Sequence, residues 1–398
     1  MERNRDLVSL DEALEIVRNV PVFPKTETVG LGEALGRVLV GEVRSPIDSP
    51  PFDKSAMDGF AVGADETAAE LRVVETVAAG AAPAVHVRPG EAARIMTGAM
   101  LPSGTGRVLR KEYVEELTLD GGTTIRALRT ETGDNVIRRG QSLAAGSVMV
   151  SPRVVGAADV GILAASGIDS VSVGMPPRVA VLCTGPEIRP PGVPLGPGEI
   201  YDSNGPQLSA QLALVGCTAD VTSGIDDQPG PLAAAITREM ESHEVILLTG
   251  GVSAGDFDYV PGCLRDAGAQ LLFHGVSVKP GKPTLFARRR ERFIFGLPGN
   301  PVSTFVIFEV FVKPFLYRMM GLAWTPAGMR GRLSKALRRA TADRTEFIPV
   351  RINRGFVEPV AYRGSAHLNS LADANGLVRV EIGVDEIPEG SEVDVRPI

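Results

Sequence analysis

Cysteine is scarce in this chain: Cys183, Cys217 and Cys263 are the only three in 398 residues, far apart and without a CxxC pair. That excludes a disulfide framework and a zinc knuckle, and it points to a reducing, cytoplasmic setting. Histidine is nearly as rare. The four, at 86, 243, 274 and 367, form no HxxxH pair and read as structural or solvated residues. No apolar run reaches the roughly 18 residues that a membrane helix needs. The opening Met1-Glu2-Arg3-Asn4-Arg5-Asp6 leads into no apolar segment, so no signal peptide is expected. An excess of positive charge is also missing. With 41 basic and 48 acidic side chains the net charge is −7, which leaves no footprint for non-specific nucleic-acid binding but permits a local basic pocket.

What is present is an ordinary globular composition, 44% hydrophobic and 22% charged, with 45 glycines and 30 prolines that predict many turns and short elements. The length suggests two to four domains at about 150 residues each. A first helix is expected from Ser9, with Glu12 closing a capping box and Leu10, Ala13, Leu14 and Val17 on one apolar stripe. The Pro-rich stretch Ser45-Pro46-Ile47-Asp48-Ser49-Pro50-Pro51-Phe52 marks a domain boundary. From about 56 to 145, short Val-, Thr- and Ile-rich runs separated by turns such as Asp120-Gly121-Gly122 predict a β-rich domain. Residues 152–170 return to a helical or mixed pattern.

From Arg178 the pattern becomes strand, helix, strand. Val179-Ala180-Val181-Leu182, Val245-Ile246-Leu247-Leu248 and Phe293-Ile294-Phe295 read as strands buried on both faces. Helices are expected near 205–215, 231–241 and 301–320, with a further strand near 218–223. This alternation predicts a doubly wound α/β domain with a parallel sheet. From about 326 a small C-terminal β domain follows.

In such a sheet, ligands sit beyond the carboxyl ends of the strands. All three apolar strands end in glycine-containing loops: Thr184-Gly185, Thr249-Gly250-Gly251 and Gly296-Leu297-Pro298-Gly299-Asn300-Pro301. Asn300 is placed to cap a helix that starts at Pro301, and a capped helix start after a Gly-rich turn suits an anion. Any one loop is ordinary turn chemistry; three together favour a phosphate-bearing ligand. Carboxylates gather near these and other turns: Asp58, Glu187, Asp226, Asp227, Asp256 and Asp258. They either hold a hard cation such as Mg²⁺, with a bound phosphate completing its shell, or are solvated acids and Asx turns. Lys279-Pro280-Gly281-Lys282-Pro283 sets two ammonium groups three residues apart in a Pro-stiffened loop. The pair either grips a doubly charged oxyanion or sits on the surface. Arg288-Arg289-Arg290 reads as a solvated hairpin tip.

Five ordered segments carry a resemblance. They are Ser55-Ala56-Met57-Asp58-Gly59-Phe60-Ala61-Val62, Met96-Thr97-Gly98-Ala99-Met100-Leu101-Pro102, Thr249-Gly250-Gly251-Val252-Ser253, Lys279-Pro280-Gly281-Lys282-Pro283 and Gly296-Leu297-Pro298-Gly299-Asn300-Pro301-Val302-Ser303. In this order they resemble the MoeA-type molybdopterin molybdenumtransferases, also represented by the C-terminal domain of gephyrin. The likeness runs from the N-terminal helix to Leu371-Ala372-Asp373-Ala374-Asn375-Gly376. It implies an elongated, multi-domain α/β plus β subunit in a homodimer. Residues 1–45 with 146–176 would form a linking domain, 46–145 an inserted β-rich domain, 177–325 a molybdopterin-binding-like α/β domain, and 326–398 a C-terminal β domain.

The resemblance also implies the reaction: adenylylated molybdopterin and molybdate combine, with Mg²⁺, to give molybdenum cofactor and AMP. It implies catalytic roles for Asp58, Glu187, Asp226 and Asp258, with Glu187 and Asp226 on the metal. Thr97, Gly98, Thr184, Gly250, Gly251, Ser253, Pro298, Gly299, Asn300 and Pro301 would bind the pterin substrate. Lys279, Lys282, Arg344 and Ser365 would hold molybdate. Contact with the molybdopterin adenylyltransferase is implied as well, with no nucleic-acid or membrane partner.

The chain departs from the family pattern at three acidic positions, where Gly106, Ser142 and Pro186 stand. The usual Asn-Ile-Arg reads Asn135-Val136-Ile137, and Arg107 and Arg110 add charge nearby. Each loss removes a possible metal ligand or water-orienting group. The alternative reading is therefore a catalytically weakened paralogue that binds or stores molybdopterin or the cofactor. A gephyrin-like scaffold is disfavoured, because no separate N-terminal domain or long linker is seen.

Overall fold

The structure, a computed structural model, describes residues 7–119, 121–251, 259–362 and 364–398. It divides into two units. One comprises Met1–Val40, Arg153–Val155 and Val171–Ile398; the other comprises Gly41–Pro152 and Gly156–Ser170.

The first unit is organised by the strands Val179–Thr184 and Val245–Thr249, buried at every position. Because side chains alternate across a strand, two cores result. Val179, Val181, Val245, Leu247, Phe293 and Phe295 face one of them. It also receives Leu10, Ala13 and Val17 of the N-terminal helix and Leu208 and Leu212 of the helix Asn204–Leu214. Ala180, Leu182, Ile246, Leu248 and Ile294 face the other, against Leu232 and Ile236 of the helix Pro229–Ser242. A strand with helices on both faces has no solvent side, which is why these runs are apolar throughout. Phe286, Phe293, Phe295 and Phe315 interlock in the first core, with Phe286 and Phe295 stacked at 4.5 Å. Burying each is worth roughly 1.5–3 kcal/mol.

The sheet is mixed rather than wholly parallel. Ala219–Ile225, Val179–Thr184, Val245–Thr249 and Arg292–Leu297 run parallel in that order, and Leu285–Arg289 and Gln270–His274 add antiparallel strands at the edge. The cause is local. Arg289 pairs with Arg292, so Arg290 and Glu291 make a tight turn, with Arg290 at φ +55°; the arginine run is a hairpin tip.

The N-terminal helix spans Leu10–Asn19, and Ser9 Oγ accepts the Glu12 N–H at 3.1 Å. The helix expected over 301–320 spans Pro301–Ile307 and Lys313–Met319, with a π-helical turn at Phe308–Val312 between them. Buried Glu309 in that turn pairs with Lys313 Nζ at 2.9 Å and accepts from Gln211 Nε2 at 3.1 Å.

The C-terminal strands close on themselves. Thr345–Asn353, Phe356–Pro359, Met329–Leu333, Glu392–Pro397 and Gly376–Val380 follow in order, and the last pairs back to the first. Closure removes the exposed sheet edges. One outside strand joins this barrel: Val278–Lys279 runs parallel to Thr345–Asn353, with Lys279 opposite Glu346.

The second unit holds a six-stranded sheet in the order Arg107–Arg110, Gly59–Val62, Glu91–Ile95, Glu70–Val77, Gly122–Ala127, Val114–Leu119. Ala61, Ala93, Ile95 and Val108 pack on one face, and Phe60, Val62, Ala92 and Leu109 on the other. Among the described residues no helix is long and apolar enough to cross a membrane.

Candidate active site

Within the first unit, the carboxyl ends of the parallel strands open into a cavity of about 770 Å³. Its walls come from four places. The strand-end loops bring Thr184, Gly185, Glu187, Thr249, Gly250, Gly251, Pro298, Gly299 and Asn300, and the turn after Ala219–Ile225 brings Asp227. The loop that follows Val278–Lys279 brings Lys279 and Lys282. The barrel brings Arg344, Tyr362 and Ser365.

Hydrogen bonds lock the strand-end loops together. Buried Asn204, at the start of its helix, donates from Nδ2 to Thr249 Oγ1 at 2.7 Å and to the Gly299 carbonyl at 2.8 Å. Thr249 Oγ1 in turn donates to Pro298 O at 3.2 Å, and Thr184 Oγ1 donates to Thr249 O at 3.3 Å. Gly250, at φ +92°, is required: a Cβ there would lie 2.6 Å from Thr184 O. Backbone can therefore line the cavity directly, as a bulky anionic ligand needs.

The acids sort differently from the expectation. Glu187 lines the cavity, and so does Asp227. Asp226 does not: its Oδ1 accepts the Gln228 N–H at 3.0 Å in an Asx turn. Ser253 and Asp258, with Asp256, lie outside the described residues. Among the described residues no three His, Cys, Asp or Glu side chains gather closely enough to hold a metal. Mg²⁺ typically takes one or two protein carboxylates and fills its shell from phosphate and water, so two acids on the wall suit it.

The cations also differ from a simple pair. Lys279 Nζ sits 3.0 Å from Glu346 Oε1. Lys282 is exposed, and among the described residues no carboxylate pairs with it. The Arg344 guanidinium lies 3.3 Å from Asp343 Oδ2. Burial pushes the Tyr362 phenol up to about 12, so it remains a hydrogen-bond donor at neutral pH.

Two expectations about Asn300 need correction. It occupies the cap position before Pro301, but its side chain makes no cap. Its Nδ2 donates instead to Ser365 Oγ at 2.8 Å, and the Val302 N–H donates to Ser365 O at 3.1 Å. The barrel loop thus takes a backbone donor that the anion-site reading had left free. Pro301 is not a wall residue; its carbonyl accepts from Gln207 Nε2 at 3.2 Å.

Asp58, Thr97 and Gly98 belong to the second unit. Asp58 Oδ1 accepts from the Thr97 N–H at 2.8 Å and from Thr97 Oγ1 at 2.7 Å, and Lys111 Nζ lies 3.5 Å from Oδ2. The Thr97 backbone donor first, then its hydroxyl, hold the Asp58 carboxyl below the usual aspartate range despite some desolvation. Such a carboxyl adds stability above the ordinary aspartate pKa, and loses it as pH falls through the depressed value. Thr97→Val removes one donor, so the Asp58 pKa is expected to rise towards its ordinary value in a carboxyl-detected NMR titration; an unmoved midpoint would refute the hydroxyl's role. Of the departures, the Gly106 N–H donates to Val62 O, Ser142 is exposed, and the Pro186 carbonyl accepts from Arg189.

Sequence reasoning overlooked Asn204, Tyr362 and Glu346. Asn204 had a local signal, standing just after Tyr201-Asp202-Ser203 at a helix start, where Asp202 Oδ1 caps the Gly205 N–H at 2.9 Å. Glu346 had none, since only the register of two distant strands places it beside Lys279.

The fold defines a class: multi-domain α/β plus β proteins in which the strand ends of a two-faced sheet share one cavity with a basic loop and a β-barrel. Comparison narrows it. Residues 8–167 match the MoeA N-terminal region (domain I and II), 180–318 a probable molybdopterin-binding domain, and 330–398 the MoeA C-terminal region (domain IV). The chain is 32% identical to the molybdopterin molybdenumtransferase of Bacillus subtilis, covering 99% of this chain and 95% of that protein. It is 33% identical to molybdopterin molybdenumtransferase 2 of Mycobacterium tuberculosis, covering 97% and 98%. The crystal structure of the molybdopterin biosynthesis MoeA protein from Pyrococcus horikoshii superposes with a TM-score of 0.83 at 32% identity, over 98% of this chain and 99% of that one. The chain belongs to the MoeA family of molybdopterin molybdenumtransferases.

Proposed function

We propose that this chain is a transferase of molybdenum cofactor biosynthesis that inserts molybdate into adenylylated molybdopterin and releases AMP. What supports the reading most is the cavity wall, on which Lys279, Lys282 and Arg344 share one space with Glu187, Asp227 and glycine loops. A tetrahedral dianion needs fixed cations, and a phosphoanhydride needs backbone room and charge neutralisation. Lys282 and Arg344 bind molybdate, with Lys279 and Ser365 on the same wall. Thr184, Gly250, Gly251, Pro298 and Gly299 seat the pterin phosphate and nucleotide. Glu187 and Asp227 are the carboxylates that would hold Mg²⁺, which when bound neutralises the phosphoanhydride oxygens. Asp58 and Thr97 are assigned to the reaction on the family pattern. The working form is a homodimer that receives its substrate from the adenylyltransferase.

The test mixes the purified protein with adenylylated molybdopterin, molybdate and Mg²⁺ and follows AMP. Release that rises with molybdate concentration is expected. Tight pterin binding with AMP at background would replace the transferase reading by retention of the ligand. Asp58→Ala is expected to slow AMP release by about tenfold or more in a protein that still folds; a normal rate would remove Asp58 from the reaction.

A further inference from the structure

We propose that Glu346 is a positioning residue for the oxyanion subsite, acting through Lys279; the inference rests on the reading of the cavity given above. Glu346 is 4% exposed and lies on the barrel strand Thr345–Asn353, opposite Lys279 in a parallel ladder. Its Oε1 pairs with Lys279 Nζ at 3.0 Å. Its Oε2 has no hydrogen-bond partner and faces Arg339 Nη1 at 3.8 Å. The side chain of Arg339 is likewise enclosed, at 1% exposed. It cannot move away, because Nε donates to Val384 O at 2.7 Å, Nη2 to Glu381 O at 2.6 Å and Nη1 to Arg344 O at 2.9 Å.

One carboxylate therefore stands between a cation that lines the cavity and a cation fixed behind it. A second cavity of about 570 Å³ has Lys279, Arg339, Glu346 and Tyr362 on its wall, so the lysine lies on the walls of both spaces. A flexible lysine stem between two openings needs an anchor, and the carboxylate on a rigid strand supplies it. Without that charge, the ammonium would face the immobile Arg339 guanidinium and be repelled from its place. The same unit reaches the other cation of the subsite, since Arg339 holds the carbonyl of Arg344. The lysine and the arginine, more than sixty positions apart in the chain, are thus aligned by one buried ion pair.

The test is a double-mutant cycle, which separates a residue acting through Lys279 from one that merely supports the fold. In the otherwise native protein, Glu346→Gln is expected to raise the KM for molybdate about fivefold or more, with kcat and the KM for adenylylated molybdopterin changed less than about twofold. In the Lys279→Ala background the same substitution is expected to change the molybdate KM less than about twofold. Equal factors in both backgrounds, no effect in the native one, or a matching rise in the pterin KM would overturn the proposal. If the Gln variant melts early, Glu346→Asp carries the same cycle, because it keeps the charge and withdraws it by one methylene. If the native protein shows no molybdate-dependent AMP release, it is the reading of the reaction that fails. The cycle is then read by equilibrium binding of molybdate, with the same two outcomes.

Discussion

Lys282→Ala is expected to raise the KM for molybdate roughly ten- to a hundredfold while leaving the affinity for adenylylated molybdopterin nearly unchanged. The reasoning starts from the partners of the two loop lysines. The Lys279 charge is already engaged with Glu346 at 3.0 Å. Lys282 shares the cavity wall and, among the described residues, has no carboxylate partner. Among the described residues, no carboxylate competes with an incoming dianion for its ammonium. A hydrogen bond to a charged group contributes about 1.5–3 kcal/mol, and each 1.4 kcal/mol is tenfold in affinity. The loop itself should survive, because Lys282 is exposed and only its side chain is removed. Two measurements decide the matter: the molybdate dependence of AMP release, and pterin binding with molybdate absent. Equal losses in both would show that the loop serves the pterin or the fold. Lys282→Arg keeps the charge but replaces a compact ammonium with a planar fork, so it is expected to fall between the native protein and the alanine variant. High salt should weaken molybdate binding in the native protein more than in Lys282→Ala, since screening acts on the exposed charge that the variant lacks.

The contrast between the two lysines shows what was legible in the sequence. Spacing and stiffness are local properties, so the pair in Lys279-Pro280-Gly281-Lys282-Pro283 could be picked out at once. That Lys279 is the one paired with Glu346 depends on a barrel strand over sixty residues further on, and no local pattern reports that register. The same holds for Asn300. Its place before Pro301 is a local signal for a cap, but the side chain turns to Ser365 because a loop from the barrel lies alongside. The buried strands were legible for a different reason. Val179–Thr184 and Val245–Thr249 are covered on both faces, so their composition alone betrays them. The antiparallel edge was half legible. Arg288-Arg289-Arg290 announced a hairpin tip, but Leu285–Arg289 alternates too briefly to state its direction. Aspartate at 226 and 227 poses the opposite difficulty. The two are neighbours of one type, and only the Asx turn at Asp226 decides which faces the cavity.

Gly59→Ala is expected to destabilise the second unit by roughly 3 kcal/mol and to lower its melting temperature by about 10–20 °C. Gly59 follows Asp58, and its presence there is dictated by the neighbouring strand. A Cβ on residue 59 would lie 1.9 Å from Leu109 O, 2.9 Å from Leu109 C and 3.2 Å from Arg110 Cα. All three are backbone atoms, so no side chain can swing aside. The two strands are paired from Gly59↔Arg110 to Val62↔Arg107, and relief of the clash means breaking that ladder. Removing glycine also restricts the unfolded chain, a gain of about 0.4–1 kcal/mol. Forcing a methyl group into a buried sheet costs more than that gain returns, so the net sign is destabilising. Gly63→Ala is the control. Its Cβ would meet nothing nearer than 3.8 Å, and it is expected to shift the melting temperature by only a few degrees. Calorimetry of both variants separates the effects: a Gly59→Ala transition that matches Gly63→Ala would refute the close-approach explanation. The function should follow the ladder. Gly59 sits between Asp58 and buried Phe60, so a displaced strand carries Asp58 away from the Thr97 N–H and hydroxyl. AMP release by any Gly59→Ala protein that remains folded is then expected to fall with that of Asp58→Ala, whereas Gly63→Ala keeps the native rate.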